Sequence, residues 1–316
     1  MKETAFIRQN IDKWKAMEEL IEQTSAKSPD MLADAYTDLT ADLSFSQTHF
    51  PQSRITIYLN NLSSALHHTI YRNKREKWSR ILTFWSREVP ATVYNARREL
   101  LASFLIFFAS VGIGILSSLN DPSFVRLIMG DSYVDMTLHN IANGTPMGVY
   151  GNTSETPMFL AIAFNNIRVS FLTFAMGLFS CFGTGYILLQ NGIMLGAFQT
   201  FFYQQHLLSE SMLAIWLHGT LEISTIIVEG AAGLALGSGW LFPGTYTRIE
   251  SFRRSAKRGL KIAVSGIPLI ILAAFIEGFI TRHTHLPTWL RLGVILASLA
   301  FIIFYYIYLP HKKKQL

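Results

Sequence analysis

A histidine and three glutamates stand in stretches of this chain that are otherwise apolar, and their spacing is helical. His218 and Glu222 are four residues apart and Glu229 is seven further on, so at 3.6 residues per turn the three share one stripe of a helix. Glu277 lies in a later apolar run, and earlier runs carry Asn165, Asn166 and Arg168, then Gln190 and Asn191. Ionisable groups at bilayer depth are costly, by a few kcal/mol each on insertion scales, and face the interior of a helix bundle. There they form structural pairs or line a path for protons and ions. A third chemistry is open to His218, Glu222 and Glu277, because a zinc site with bound water takes three protein ligands. Against it, no His-Glu-x-x-His element occurs, and His206, His283 and His285 fall at the outer boundaries of apolar runs. No cofactor or resident metal is therefore expected.

The elements that must position these residues are membrane spans. Half of the 316 residues are hydrophobic and only 15% are charged, against about a quarter in soluble domains. The charges crowd into residues 1–99, 248–261 and the last few positions. Six runs reach the roughly 20 residues that a spanning helix needs: about Leu100–Leu119, Met158–Cys181, Gly183–Tyr203, Leu213–Trp240, Leu260–Thr281 and Leu290–Leu309. A break at Phe182-Gly183-Thr184-Gly185 separates the second from the third. The expected fold is an all-α polytopic bundle over 99–311, with an outer loop at 120–157.

Lys and Arg in the flanks set the orientation. Arg97 and Arg98 precede the first span, six basic residues from Arg248 to Lys261 fill the loop after the fourth, and Lys312, Lys313 and Lys314 follow the last. An even span count puts all three clusters, and both termini, on the cytoplasmic side. The N-terminus has no apolar stretch of signal-peptide type, so the first span is expected to direct insertion. Trp240, Trp289 and the Tyr305, Tyr306, Tyr308 cluster read as interfacial anchors. Asn143 and Asn152 begin glycosylation-type triplets and read as turn-forming asparagines. The lone cysteine, Cys181, excludes a disulfide framework.

Counting inward at about 1.5 Å per residue brings Arg168 and Glu222 to mid-bilayer, so these two are expected to form an ion pair. His218 and Glu277 meet in the outer third as a second candidate pair, while Glu229 and Asn191 share the inner half. Gly192 with Gly196, and Gly233 with Gly237, are small-xxx-small repeats that let helices approach closely; Gly219 is grouped with them.

Residues 1–70 read as a cytoplasmic head of helices, with turns at Ser28-Pro29 and Phe50-Pro51. Ile7, Ile11, Trp14, Met17 and Ile21 form one apolar stripe. Asp30, Asp34, Asp38 and Asp42 form a solvated acidic face, since a calcium loop needs a turn glycine that is absent. Residues 71–98 reverse the charge. Arg72, Lys74, Arg75 and Lys77 beside Trp78 and Trp85 are the composition of an interfacial helix on anionic lipid head groups, and Pro90 is expected to turn the chain into the bilayer. A net charge of +6 could signal nucleic acid, but the basic residues adjoin apolar spans, so the partner expected is the lipid bilayer and no nucleic acid.

One order of motifs points to a family. Asn165-Asn166-x-Arg168, then Gln190-Asn191-Gly192-x-x-x-Gly196, then His218-Gly219-Thr-Leu-Glu222, then Pro243 before a basic loop and Ile276-Glu277 resemble the stage II sporulation protein M family over residues 95–310. The resemblance implies a multipass protein of the bacterial inner (plasma) membrane, whose namesake acts as a scaffold in an engulfment complex with a wall-degrading enzyme and another membrane protein. Three readings of the polar residues stay open, taken in this order: a scaffold that assembles with other membrane proteins or with itself, a transporter or channel, and a metal-dependent intramembrane enzyme.

Overall fold

A computed structural model describes residues 2–22, 29–71, 79–146, 155–281 and 286–312. Among them the regular structure is helical throughout. Two compact units emerge, Met1–Lys77 and Trp78–Leu316. Arg72, Lys74, Arg75, Lys77 and Trp78 of the basic segment lie outside the described residues.

The first unit holds α1 (Glu3–Glu22), α2 (Pro29–His49) and α3 (Arg54–Tyr71). Trp14 and Met17 of the apolar stripe are buried against Leu39, Leu59 and Leu66, and Ile7, Ile11 and Ile21 pack around them half-buried. Asp30, Asp34 and Asp38 are exposed, but Asp42 is not part of that solvated face. It accepts a 2.9 Å hydrogen bond from the Trp14 indole and pairs with Lys13. A spacing of four drifts about 40° per step round a helix, so the twelve residues from Asp30 carry Asp42 about 120° round to the core.

The second unit begins earlier than the charge map suggested. Helices α4 (Ser79–Thr83) and α5 (Val89–Asn95) flank a π-helical turn, Phe84–Glu88. Val89, Val93 and Ala96 are buried with Val228, Ala232 and Ile262, so this segment is built into the bundle wall. Pro90 sits in the first turn of α5 and does not bend the chain; the break falls at Ala96, φ −105° and ψ 19°. The Trp85 carbonyl accepts from the Tyr305 hydroxyl at 2.7 Å.

Among the described residues, five helical stretches are long and apolar enough to cross a membrane: Arg97–Asn120, Glu155–Gln204, Leu208–Leu241, Arg248–Thr281 and Thr288–Lys312. The second, with 50 residues, would measure about 75 Å if straight, more than twice the roughly 30 Å hydrocarbon core. It is a hairpin. α9 (Glu155–Ala175) runs through a 3₁₀ turn, Met176–Phe179, into α10 (Ser180–Gln204), and Ser180 takes φ 64°, ψ −170° at the joint. The Thr184 hydroxyl then donates back to the Thr173 carbonyl at 3.0 Å. The hairpin turns at Ser180, not at Phe182–Gly185, which lies inside α10. The stretches thus make six passes, with α6 (Arg97–Asn120) before the hairpin and α11 (Leu208–Leu241), α12 (Arg248–Phe275) and α13 (Thr288–Ile303) after it. Between α6 and the hairpin come α7 (Pro122–Met129) and α8 (Asp131–Ala142). α14 (Leu309–Lys312) closes the described chain.

Buried α11 is the axis of the unit. Gly192 and Gly196 let α10 lie against α6, where a Cβ on Gly192 would sit 2.6 Å from the Phe107 carbonyl oxygen. Gly233 and Gly237 do the same for α11 against the hairpin, where a Cβ on Gly237 would meet the Cys181 nitrogen at 2.6 Å. Gly219 differs, since a Cβ there meets nothing nearer than 3.5 Å. Trp240 and Trp289 are exposed, whereas Tyr306 is enclosed, with its hydroxyl 3.0 Å from that of Ser265.

Candidate functional site: a polar cleft in the membrane unit

Helices α9 and α10 diverge away from their joint, and α11 floors the space between them. The result is a cleft of about 710 Å³. Asn165, Asn166, Gln190, Asn191, His218, Gly219 and Glu222 line it, with Tyr133 and Met129 of α8 and α7 also on its wall. Those two short helices are held over one end of the bundle by Val125 and Val134 packing on Phe201 and Phe202. Arg126 ties them together through Asp131 at 3.1 Å and Asp135 at 2.8 Å.

At the back of the cleft α11 meets the C-terminal end of the α12 helix, which widens into a π-helical segment at Ile276–Thr281. This turn brings Glu277 and Thr281 together onto His218. The imidazole Nε2 stands 3.8 Å from Glu277 Oε1, and Nδ1 stands 3.1 Å from the Thr281 hydroxyl oxygen. Glu222, one turn further along α11, accepts a hydrogen bond from Asn166. His218, Glu222 and Glu277 each offer one ligand atom, all within 4.8 Å of one another, and form the group among the described residues that could hold a metal ion.

The sequence placed His218 beside Glu277, and that contact is present. It also paired Arg168 with Glu222, and that ion pair does not form. Arg168 is exposed and has no ionic partner among the described residues. Asn166 and Arg168 are two positions apart, about 200° round the helix, so only one of them can face α11. Asn165 is also exposed, its amide 3.4 Å from Asn166 Oδ1. Gln190 is exposed and donates to the Tyr186 hydroxyl at 2.8 Å; Asn191 donates to the Ile187 carbonyl at 2.8 Å. Glu229 is fully enclosed, away from the cleft, and neither carboxyl oxygen has a hydrogen-bond partner among the described residues. Thr281 was not singled out in the sequence; its signal is the four-residue spacing from Glu277.

Neither the curated proteins nor the solved structures contain a match to this chain. Two family models do match. Residues 4–72 fit a domain of unknown function (DUF8413), which coincides with the three-helix unit. Residues 103–282 fit the model named stage II sporulation protein M, and this range holds the hairpin, the cleft and every residue of the His218 cluster. The match spans more than half of the sequence, and this multipass membrane protein therefore belongs to the stage II sporulation protein M family.

Proposed function

We propose that the chain is an assembly component of the bacterial inner membrane, a scaffold whose bundle is completed by another membrane protein or by a second copy of itself. The observation that carries this is Arg168. It is the fourteenth of the 21 residues of α9, exposed and unpaired among the described residues. A guanidinium facing hydrocarbon at that depth costs a few kcal/mol or more. A protein partner offering a carboxylate or carbonyl groups removes that cost. The basic clusters at Arg97–Arg98, in α12 and at the end of α14 support a reading in which their end of the bundle, and both termini, face the cytoplasm. Arg72, Lys74, Arg75 and Lys77 contribute contacts to anionic head groups of the same leaflet.

A cysteine at position 168 in a Cys181→Ser background tests this. Covered by a partner, it is expected to resist a lipid-soluble maleimide in native membranes and to react once the chain is dispersed as a monomer in detergent. Ready reaction in native membranes rejects the assembly reading. Transport is the second reading, favoured by one observation: the polar lining of the cleft, which ends on ionisable groups. A flux of cations into proteoliposomes that is lost in Glu222→Gln would place transport first.

A further inference from the structure

We propose that His218, Glu222 and Glu277 form a binding site for a divalent first-row transition metal ion, open on one side to the cleft. The hydrogen bonds around His218 carry the argument. The Thr281 hydroxyl donates its proton to the Ile276 carbonyl at 3.2 Å. Its oxygen is thus left to accept, and the imidazole nitrogen facing it at 3.1 Å is the N–H donor. The neutral ring then presents the Nε2 lone pair to Glu277 Oε1 at 3.8 Å. Two acceptors facing each other in a buried place are stable only with a cation or proton between them.

The second carboxylate raises the demand. Glu222 stands in the same group, and among the described residues no Lys or Arg forms an ion pair with Glu222 or Glu277. One imidazole and two carboxylates can therefore hold two negative charges at a site where His218 is 5% exposed and Glu277 14%. A divalent ion balances both at once. Ligand atoms about 2.1 Å from a tetrahedral ion are about 3.4 Å apart, so the 3.8 Å between His218 and Glu277, and the separations of at most 4.8 Å within the group, close with side-chain rotations. The surroundings have the form of a metal site's outer shell: Thr281 fixes the histidine tautomer and Asn166 orients Glu222. One nitrogen and two oxygens suit zinc, manganese, iron or cobalt. Calcium and magnesium want six or more oxygen ligands. The site does not depend on the assembly reading.

The test uses the full-length protein in detergent, stripped with a chelator and titrated with Co²⁺ alone. The wild type is expected to retain about one ion per chain and to develop the visible absorption of a low-coordinate cobalt centre. His218→Gln and Glu277→Gln should lose that absorption, and Thr281→Val should weaken affinity roughly tenfold or more. Glu210→Gln, at an exposed carboxyl near the outer end of α11, should match the wild type. Elution volume and helical circular dichroism check that each variant is folded; if His218→Gln is not, Glu222→Asp, which keeps the charge and shifts the ligand, should change the cobalt spectrum. A folded wild type that retains no Co²⁺ overturns the proposal, leaving a proton between His218 and Glu277. So does retention by His218→Gln and Glu277→Gln equal to that of the wild type.

Discussion

Glu229 is enclosed by its own helix and by α12, and a Cβ on Gly266 would sit 2.6 Å from its Oε1. A charged carboxylate without a partner in such a place costs several kcal/mol. Glu229→Gln keeps the shape and cannot carry that charge, so its thermal unfolding temperature in detergent is expected to equal or exceed that of the wild type. Glu222→Leu should behave differently. It leaves the Asn166 amide without its acceptor, at about 1–3 kcal/mol, and should unfold at lower temperature. A loss in Glu229→Gln as large as in Glu222→Leu would show that Glu229 has a charged partner. Residue types and depths were readable in the sequence here, since the helical count brought His218 level with Glu277. Faces were not. Arg168 and Asn166 have almost the same depth, and only the packing of α9 on α11 decides which turns inward.

At the scale of elements, glycine misdirected the placement of the hairpin turn. Gly183 is inside α10 because a side chain there would collide with the Met176 carbonyl of the turn that precedes it. The turn itself rests on Ser180, whose φ of 64° with ψ −170° is a conformation that glycine adopts far more readily. Ser180→Gly is expected to stabilise the protein by about 1 kcal/mol, and Ser180→Val to destabilise it, both read from thermal unfolding. A destabilising Ser180→Gly would mean that the turn is not strained. The first helices of the unit are tied to α12 by Glu88–Lys261 at 2.6 Å and Glu99–Arg258 at 3.2 Å. The Lys261 hydrogen bond holds the Glu88 carboxyl below its ordinary value of 4.5. A depressed carboxylate contributes stability above its unfolded value and loses it as pH falls through the folded one. Lys261→Gln should therefore flatten the acid limb of stability below about pH 4.5 by less than 1 kcal/mol, as a half-exposed pair allows.

At the scale of the molecule, composition and hydropathy were enough to reveal a multipass bundle, because bilayer length and charge exclusion act on every span. The domain boundary was less legible: residues 79–98 carry charge like the head, yet Val89 and Val93 are core of the second unit. Orientation is the remaining large-scale question, and the fold supplies its parity. The start of α6, the turn between α11 and α12 and the last described residues share one end, since Glu99 meets Arg258 and His311 packs its ring 5.5 Å from Tyr94. The Asn120–Asn143 segment belongs to the other end, where Gln204 donates to the Ser118 carbonyl at 3.1 Å. With basic residues clustered at one end, the positive-inside rule predicts that this end is the cytoplasmic one. In a Cys181→Ser background, a cysteine at Asn143 should react with a membrane-impermeant maleimide on intact spheroplasts. A cysteine at Tyr246, 49% exposed in the turn before α12, should react only after the membrane is opened. Labelling of Tyr246→Cys from outside, with Asn143→Cys protected, would invert the bundle and put the cleft's roof of α7 and α8 in the cytoplasm.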